Sequence, residues 1–225
     1  MEKELKIGVI QYNPVVGDIS GNVDRITDEY GELLATEADL VVTPELSLLG
    51  YPPRDLLHRS GILDVQESAL NDLASETEDG PPLIVGAAVR TDHETGAPIH
   101  NAAIVLRDGE WSETYHKRLL PTYDVFNEHR YFRPGSEPLV VDVAGTSVGV
   151  TICEDAWQDT EVTGTRRNDE TPLQDTAASG ADLIVTLSAS PFSLNKPSRR
   201  ENRFTTHAAD LVDKDNRTPR LGGVR

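Results

Sequence analysis

The stretch SVGVTICEDAWQD, residues 147–159, is an apolar strand that gives way to an acidic turn at a cysteine. A residue at the carboxyl end of a strand projects into the crevice where α/β proteins place ligands, so Cys153 is the first candidate for chemistry. The alternative is a small buried hydrophobe, the usual fate of a free cysteine. A nucleophilic thiol needs activation, and the two acids directly after it, Glu154 and Asp155, are expected to raise its pKa. A base and a cation must therefore come from elsewhere in the chain.

Working outward from this strand, 139–143 and 146–153 read as a pair turned at Ala144-Gly145. A helix near 171–178 and a strand at 181–188 (ADLIVTLS) follow. Upstream, 5–11 (LKIGVIQ), 38–44 (ADLVVTP) and 82–90 (PLIVGAAVR) read as strands. The segments 22–37 and 62–74 have helical spacing, the first through Val23, Ile26, Tyr30, Leu33 and Leu34. Asp108-Gly109 joins strands at 99–107 and 110–117, a strong hairpin signal. This order argues α/β or α+β layering, and 225 residues point to one domain. The polar segment 159–172 is expected to be an exposed loop, 199–212 a helix, and the ending KDNRTPRLGGVR a frayed tail. Repeats, low-complexity tracts and a phosphate loop are all absent from the sequence.

The chain has 38 acidic and 21 basic side chains, a formal charge of -17, and no basic patch, which argues against nucleic-acid or membrane-surface binding. Hydrophobic residues make up only 37%, yet they fall in dense runs, so a sizeable core is expected. Of the 21 basic residues, 16 are Arg, and an acidic, lysine-poor surface of this kind resembles proteins of salt-loving organisms. A single cysteine excludes an intrachain disulfide, the start lacks the apolar core of a signal peptide, and no apolar run is long enough for a membrane span. The cytoplasm is the expected compartment.

Glu45 is the candidate base. It ends the 38–44 strand before the apolar LSLLGYPP, where desolvation would raise a carboxyl pKa toward working pH. The alternative is a loop glutamate facing water. Lys117, one of five lysines, ends the 110–117 strand and is the candidate cation. It could lower a thiol pKa and hold an oxyanion, or be an ordinary snorkelling surface lysine.

Together these segments resemble the nitrilase, or carbon-nitrogen hydrolase, superfamily, which uses a Glu-Lys-Cys triad on an αββα sandwich. The resemblance is closer still to the glutaminase domain of glutamine-dependent NAD+ synthetases. TPELSLLGYPPRDLL (43–57), YHKRLLPTYDVFNEHRYFRPG (115–135), GVTICEDAWQD (149–159) and LSASPFSLNK (187–196) look like its four signature blocks. The resemblance implies Glu45 as general base, Lys117 as oxyanion stabiliser, Cys153 as nucleophile and Glu128 as a second glutamate positioning the lysine or the substrate. It places Tyr51, Tyr123 and Phe126 as walls of a glutamine pocket, and Ser190 with Lys196 or Arg200 at the amino-acid end of the glutamine. For the aromatic residues the alternative is plain core packing, and for Ser190 a strand-end cap.

The resemblance further implies glutamine hydrolysis without metal or cofactor and self-association. The ammonia would pass through a tunnel to a synthetase domain or subunit that binds ATP and deamido-NAD+. That synthetase half, with its Ser-Gly-Gly-x-Asp-Ser loop, is absent from this sequence. The resemblance covers about residues 5–204, leaving 205–225 as an atypical tail and the sandwich incomplete at its C-terminal end. Two other readings stand beside it: a free-standing amidase of the ω-amidase type acting on another small amide, and a non-catalytic remnant.

Overall fold

A computed structural model of the chain describes residues 4–91, 98–123, 126–157, 171–191, 194, 196–215 and 220–223. Among these, two sheets lie face to face with helices on both outer sides, the αββα layering that the resemblance implies. The first sheet takes β1 (Ile7–Val9), β2 (Leu40–Val42), β3 (Leu83–Arg90), β4 (Ile99–Arg107) and β5 (Glu110–His116) in chain order. β1, β2 and β3 are parallel, whereas β4 is antiparallel to both β3 and β5. β5 therefore runs in the same direction as β2, and the two strands end at the same edge of the sandwich. The second sheet takes β6 (Leu139–Val143), β7 (Thr146–Ile152), β8 (Leu183–Leu187) and β9 (Arg220–Gly223), with β7, β8 and β9 parallel.

Strand periodicity explains the layers. Leu40, Val42, Ile84, Ala103 and Val105 of the first sheet meet Val148, Val150, Ile152, Val185 and Leu187 of the second in one buried cluster. The residues between them point outward. Val41, Leu83, Val85, Ile104 and Leu106 pack under α1 (Ile19–Leu34) and α2 (Ile62–Ser75) through Ile26, Tyr30, Leu70 and Leu73. On the second sheet, Ile184 and Ala181 meet Leu173 of α3 (Pro172–Ala178) and Phe204 of α4 (Lys196–Asp215). Gly149 of β7 lies under α3, so close to Thr176 and Ala181 that a Cβ there would collide.

Both expected hairpins form with left-handed residues at the turn: φ is 53° and 78° at Asp108-Gly109, and 52° and 86° at Ala144-Gly145. Several expected strands shorten at their ends, most of all 5–11 and 38–44, of which only Ile7–Val9 and Leu40–Val42 are ladder. The frayed-tail expectation is corrected. α4 runs through residue 204 without a break, and Arg220–Gly223 pairs in parallel with Leu183–Thr186 as β9. Four residues that add a strand beside β8 need only backbone pairing, so RLGG shows no periodicity to read. Of the expected 159–172 loop, residues 159–170 lie outside the described residues, and Pro172 opens α3 as its first turn. Among the described residues, no helix is long and apolar enough to cross a membrane.

The loop after β2 lies flat on β3. Thr43 Oγ1 and Ser47 Oγ stand 2.8 Å apart, Gly86 N donates to Thr43 Oγ1 at 3.2 Å, and Ser47 Oγ donates to the Gly86 carbonyl at 3.2 Å. Gly86 permits this approach, since a Cβ would strike the Pro44 carbonyl and Leu46 N, on either side of Glu45. Gly86→Ala should therefore lift that loop and destabilise the fold by about 1–3 kcal/mol, as overpacking of a tight interior does. Urea denaturation of the two proteins checks this, and equal midpoints would refute it.

Candidate active site

Glu45 follows β2, Lys117 follows β5 and Cys153 follows β7, so three side chains from two sheets converge at one end of the sandwich. All are buried: Glu45 is 1% exposed, Lys117 0% and Cys153 5%. Lys117 Nζ donates to Glu45 Oε1 at 2.7 Å and pairs with Glu128 at 2.9 Å. Glu45 Oε1 also accepts from Asn101 Nδ2 at 2.8 Å, and its Oε2 accepts from Ala189 N at 3.0 Å. That last bond joins Glu45, at the end of the first sheet, to the loop after β8. Tyr51 O–H donates to Glu128 Oε1 at 2.7 Å. The loop-glutamate and surface-lysine alternatives are thereby excluded.

Local backbone explains how the groups are aimed. Cys153 has φ 45° and Leu46, directly after Glu45, has φ 48°. Non-glycine residues reach this left-handed region only at a cost, and such outliers cluster at functional sites. Here each turns the chain sharply at the end of a strand.

Charge and burial set the protonation states. Burial pushes the Cys153 thiol well up, Glu45 and Glu128 push it further, and Lys117 together with the Ser188 hydroxyl pulls it down. The carboxylates that weigh most on the thiol are thus Glu45 and Glu128 rather than Glu154 and Asp155 directly after it. Glu154 Oε2 accepts from Tyr123 O–H at 2.8 Å, and Asp155 is turned onto backbone N–H groups. Burial alone would neutralise Lys117, but the Glu128 and Glu45 charges outweigh it and hold the ammonium well above its ordinary range. Burial likewise pushes Glu128 up, against the pull of Lys117.

A cavity of about 620 Å³ opens beside this cluster, bordered by Tyr12, Pro44, Tyr51, Arg54, Ser188, Ser190 and Arg200, among others. A second space of about 290 Å³ touches Tyr51, Arg54, Phe126 and Glu128. Tyr51, Ser190 and Arg200 border the larger cavity, and Phe126 the smaller. Tyr123 is tied to Glu154 and meets the Phe126 ring edge-on at 5.4 Å. Lys196 opens α4, and its side chain lies outside the described residues. Sequence reasoning missed Asn101, Ser188, the Ala189 N–H, Tyr12 and Arg54. Arg54 sits within the quoted GYPPRDLL at φ 49°, and nothing in its sequence neighbours points to a cavity.

Removing the buried cation would leave two carboxylates without their partner. Lys117→Met should cost about 3–5 kcal/mol of stability, as breaking a buried pair on one side does. Denaturant titration checks this, and an unchanged midpoint would mean that the cluster is already solvated.

The carbon-nitrogen hydrolase family matches residues 6–197. A glutamine-dependent NAD(+) synthetase from Synechocystis sp. is 36% identical over 206 residues, 90% of this chain and 37% of that protein. Another, from Xanthomonas campestris, is 39% identical over 200 residues, 88% of this chain and 33% of that protein. The chain thus spans about a third of the length of these relatives. Among solved structures, the glutamine-dependent NAD+ synthetase from Acinetobacter baumannii superposes with a TM-score of 0.81 at 29% identity, covering 93% of this chain and 37% of that one. An amidase from Nesterenkonia sp. shares the fold, with a TM-score of 0.74 at 21% identity over 98% of this chain and 76% of its own. With the match extending from β1 to the start of α4 and taking in every strand-end residue of the buried cluster, this chain belongs to the carbon-nitrogen hydrolase family.

Proposed function

We propose that the chain is a glutaminase unit that releases ammonia for glutamine-dependent NAD+ synthesis. The observation that carries the reading is the Lys117 ammonium between Glu45 and Glu128 in the buried pocket that holds the Cys153 thiol. Because burial holds the thiol protonated at rest, the nucleophile has to be made during attack. Glu45 takes the Sγ proton as the sulfur adds to the side-chain amide carbon of glutamine. Lys117 and a backbone N–H near Cys153 stabilise the oxyanion. Glu45 returns the proton to the departing nitrogen, ammonia leaves, and a thioester remains. Water, deprotonated by Glu45, then attacks the thioester, so that glutamate leaves and the thiol regains its proton. Neither metal nor cofactor enters these steps.

The cavity supports glutamine over a neutral amide. Its described lining carries two arginines, Arg54 and Arg200, and no carboxylate, on a chain of net charge -17. Such a mouth suits a substrate with a carboxylate at its far end. The length of the relatives supports a synthetase domain or subunit as the ammonia acceptor, where ATP and deamido-NAD+ would bind. The reduced thiol that this chemistry needs suits the cytoplasm. The arginine-rich, acidic composition suits a salt-rich interior. Self-association stands as part of the same proposal. A remnant without chemistry is disfavoured by the assembled buried cluster, and a free-standing amidase by the relatives.

Intact-mass spectrometry after incubation with a diazo-ketone analogue of glutamine should show one adduct, suppressed by free glutamine and absent from Cys153→Ala. Glu45→Gln should remain open to iodoacetamide yet lose turnover. An adduct on the Cys153→Ala protein, or turnover by Glu45→Gln, would remove the corresponding role. Arg54→Gln should raise KM for glutamine about tenfold, the low end for a charge-assisted hydrogen bond, because Arg54 is exposed. The KM for 4-aminobutanamide, which lacks the carboxylate, should stay unchanged. An equal rise for both amides would exclude a carboxylate contact.

A further inference from the structure

Asp155 is fully buried at 0% exposure, two residues past the nucleophile. Its Oδ2 accepts from Ile152 N at 3.0 Å and from Tyr115 O–H at 2.8 Å. Its Oδ1 accepts from Leu119 N at 2.8 Å and from Arg118 N at 3.2 Å. Four donors and no acceptor face this carboxyl in those bonds. Although burial pushes it up to about 6, the Leu119 and Ile152 N–H groups and the Lys117 charge pull the other way, so it is ionised at neutral pH.

The donors come from both halves of the site. Ile152 N–H closes the turn in which Cys153 is held at φ 45°. Tyr115 stands two residues before Lys117, and Arg118 and Leu119 directly follow it. Lys117 itself is tied to its own side of the molecule, with N donating to the Asn101 carbonyl at 2.8 Å and O accepting from Gly135 N at 2.9 Å. β5 and β7 belong to different sheets and share no ladder. One carboxylate thus ties the strand end that carries the cation to the strand end that carries the thiol.

We infer that Asp155 is the positioning residue of this site: its carboxylate fixes the separation of the Lys117 ammonium and the Cys153 sulfur. The inference rests on the glutaminase reading for its kinetic consequence, but not for its effect on the thiol. Lys117 is the charge that draws the thiol pKa down, beside the Ser188 hydrogen bond and against burial, Glu45 and Glu128, so a displaced ammonium leaves the thiol more weakly acidic. It also misplaces the charge that meets the oxyanion.

The test is Asp155→Asn in the full chain. The substituted amide keeps the volume but turns an NH2 toward donors that one of the carboxylate oxygens had served. The expected result is a native circular-dichroism spectrum and a cooperative melt, with kcat for glutamine lowered on the order of 10²-fold and KM changed little. The midpoint for iodoacetamide alkylation of Cys153 should move to higher pH. Tyr115→Phe removes one donor of the four and should move kcat and the alkylation midpoint in the same directions by less. It carries the test should Asp155→Asn fail to fold. A folded variant with a lower melting temperature but an unmoved midpoint and full kcat would overturn the inference, because that is what a packing role gives. A loss confined to KM would overturn it as well. If the unaltered chain does not hydrolyse glutamine, the glutaminase reading fails, and the alkylation midpoint still decides the role of Asp155.

Discussion

A lysine ammonium with no exposure to solvent is the constraint around which this molecule is built. Taking such a charge out of water costs several kcal/mol, and only closely placed counter-charges with further hydrogen bonds make up the loss. Lys117 has two, Glu45 and Glu128, and each is itself held: Glu45 by Asn101 and Ala189, Glu128 by Tyr51. The partners and the groups that hold them come from the loop after β2, from β4, from the residues after β8 and from the short helical turn Glu128–Arg130. Ladder pairing alone would not bring these segments together, since β8 is in one sheet and β2 and β4 in the other. The cluster is thus satisfied only when the two sheets are stacked in one relative position.

That same requirement shapes the chemistry. Two carboxylates against one ammonium leave an excess of negative charge beside the thiol, which opposes a standing thiolate. The arrangement is unlike a thiol pre-ionised by a neighbouring cation, where the nucleophile waits in its charged form. In the proposed mechanism the sulfur loses its proton as it attacks, and the lysine, already held by its two carboxylates, meets the charge that appears on the substrate oxygen. A site that stabilises charge only when it develops favours the transition state over the resting enzyme.

Much of this was legible in the chain, and the parts that were not share a cause. Strands and hairpins were read from period and turn residues because those signals are local: Asp108-Gly109 and Ala144-Gly145 dictate their own geometry. The resemblance in four blocks led to Glu45, Lys117, Glu128 and Cys153, which the fold brings together. Asn101 is the third residue of the strand IHNAAIVLR, where a buried asparagine gives no sign of its partner 56 positions away. Ala189 contributes only its backbone N–H, which every residue but proline has. Asp155 is visible in sequence as an acid next to a thiol, but its hydrogen-bonding role is not, because proximity suggests only a Coulombic neighbour. The structure shows that its donors lie up to 40 positions away. β9 was missed for a related reason, since its ladder depends on β8 and not on its own residues.

The distribution of strain follows from where the stability resides. The polar cluster contributes little net stability, since burying charge roughly cancels what pairing returns, and the left-handed residues Leu46 and Cys153 cost of order 1–3 kcal/mol each. The offset has to come from the apolar seam between the sheets and from the helices that cover them. Both residues are backed by apolar packing: Cys153 belongs to the inter-sheet cluster, and Leu46 to a separate buried cluster with Leu49, Leu57 and Phe132. A strained turn packed on one side by a close-packed core has no alternative conformation that keeps those contacts. The sandwich therefore holds Cys153 and the Leu46 turn beside Glu45 in conformations that an isolated loop would relax from, and the proposed chemistry depends on the rigidity of an apolar core.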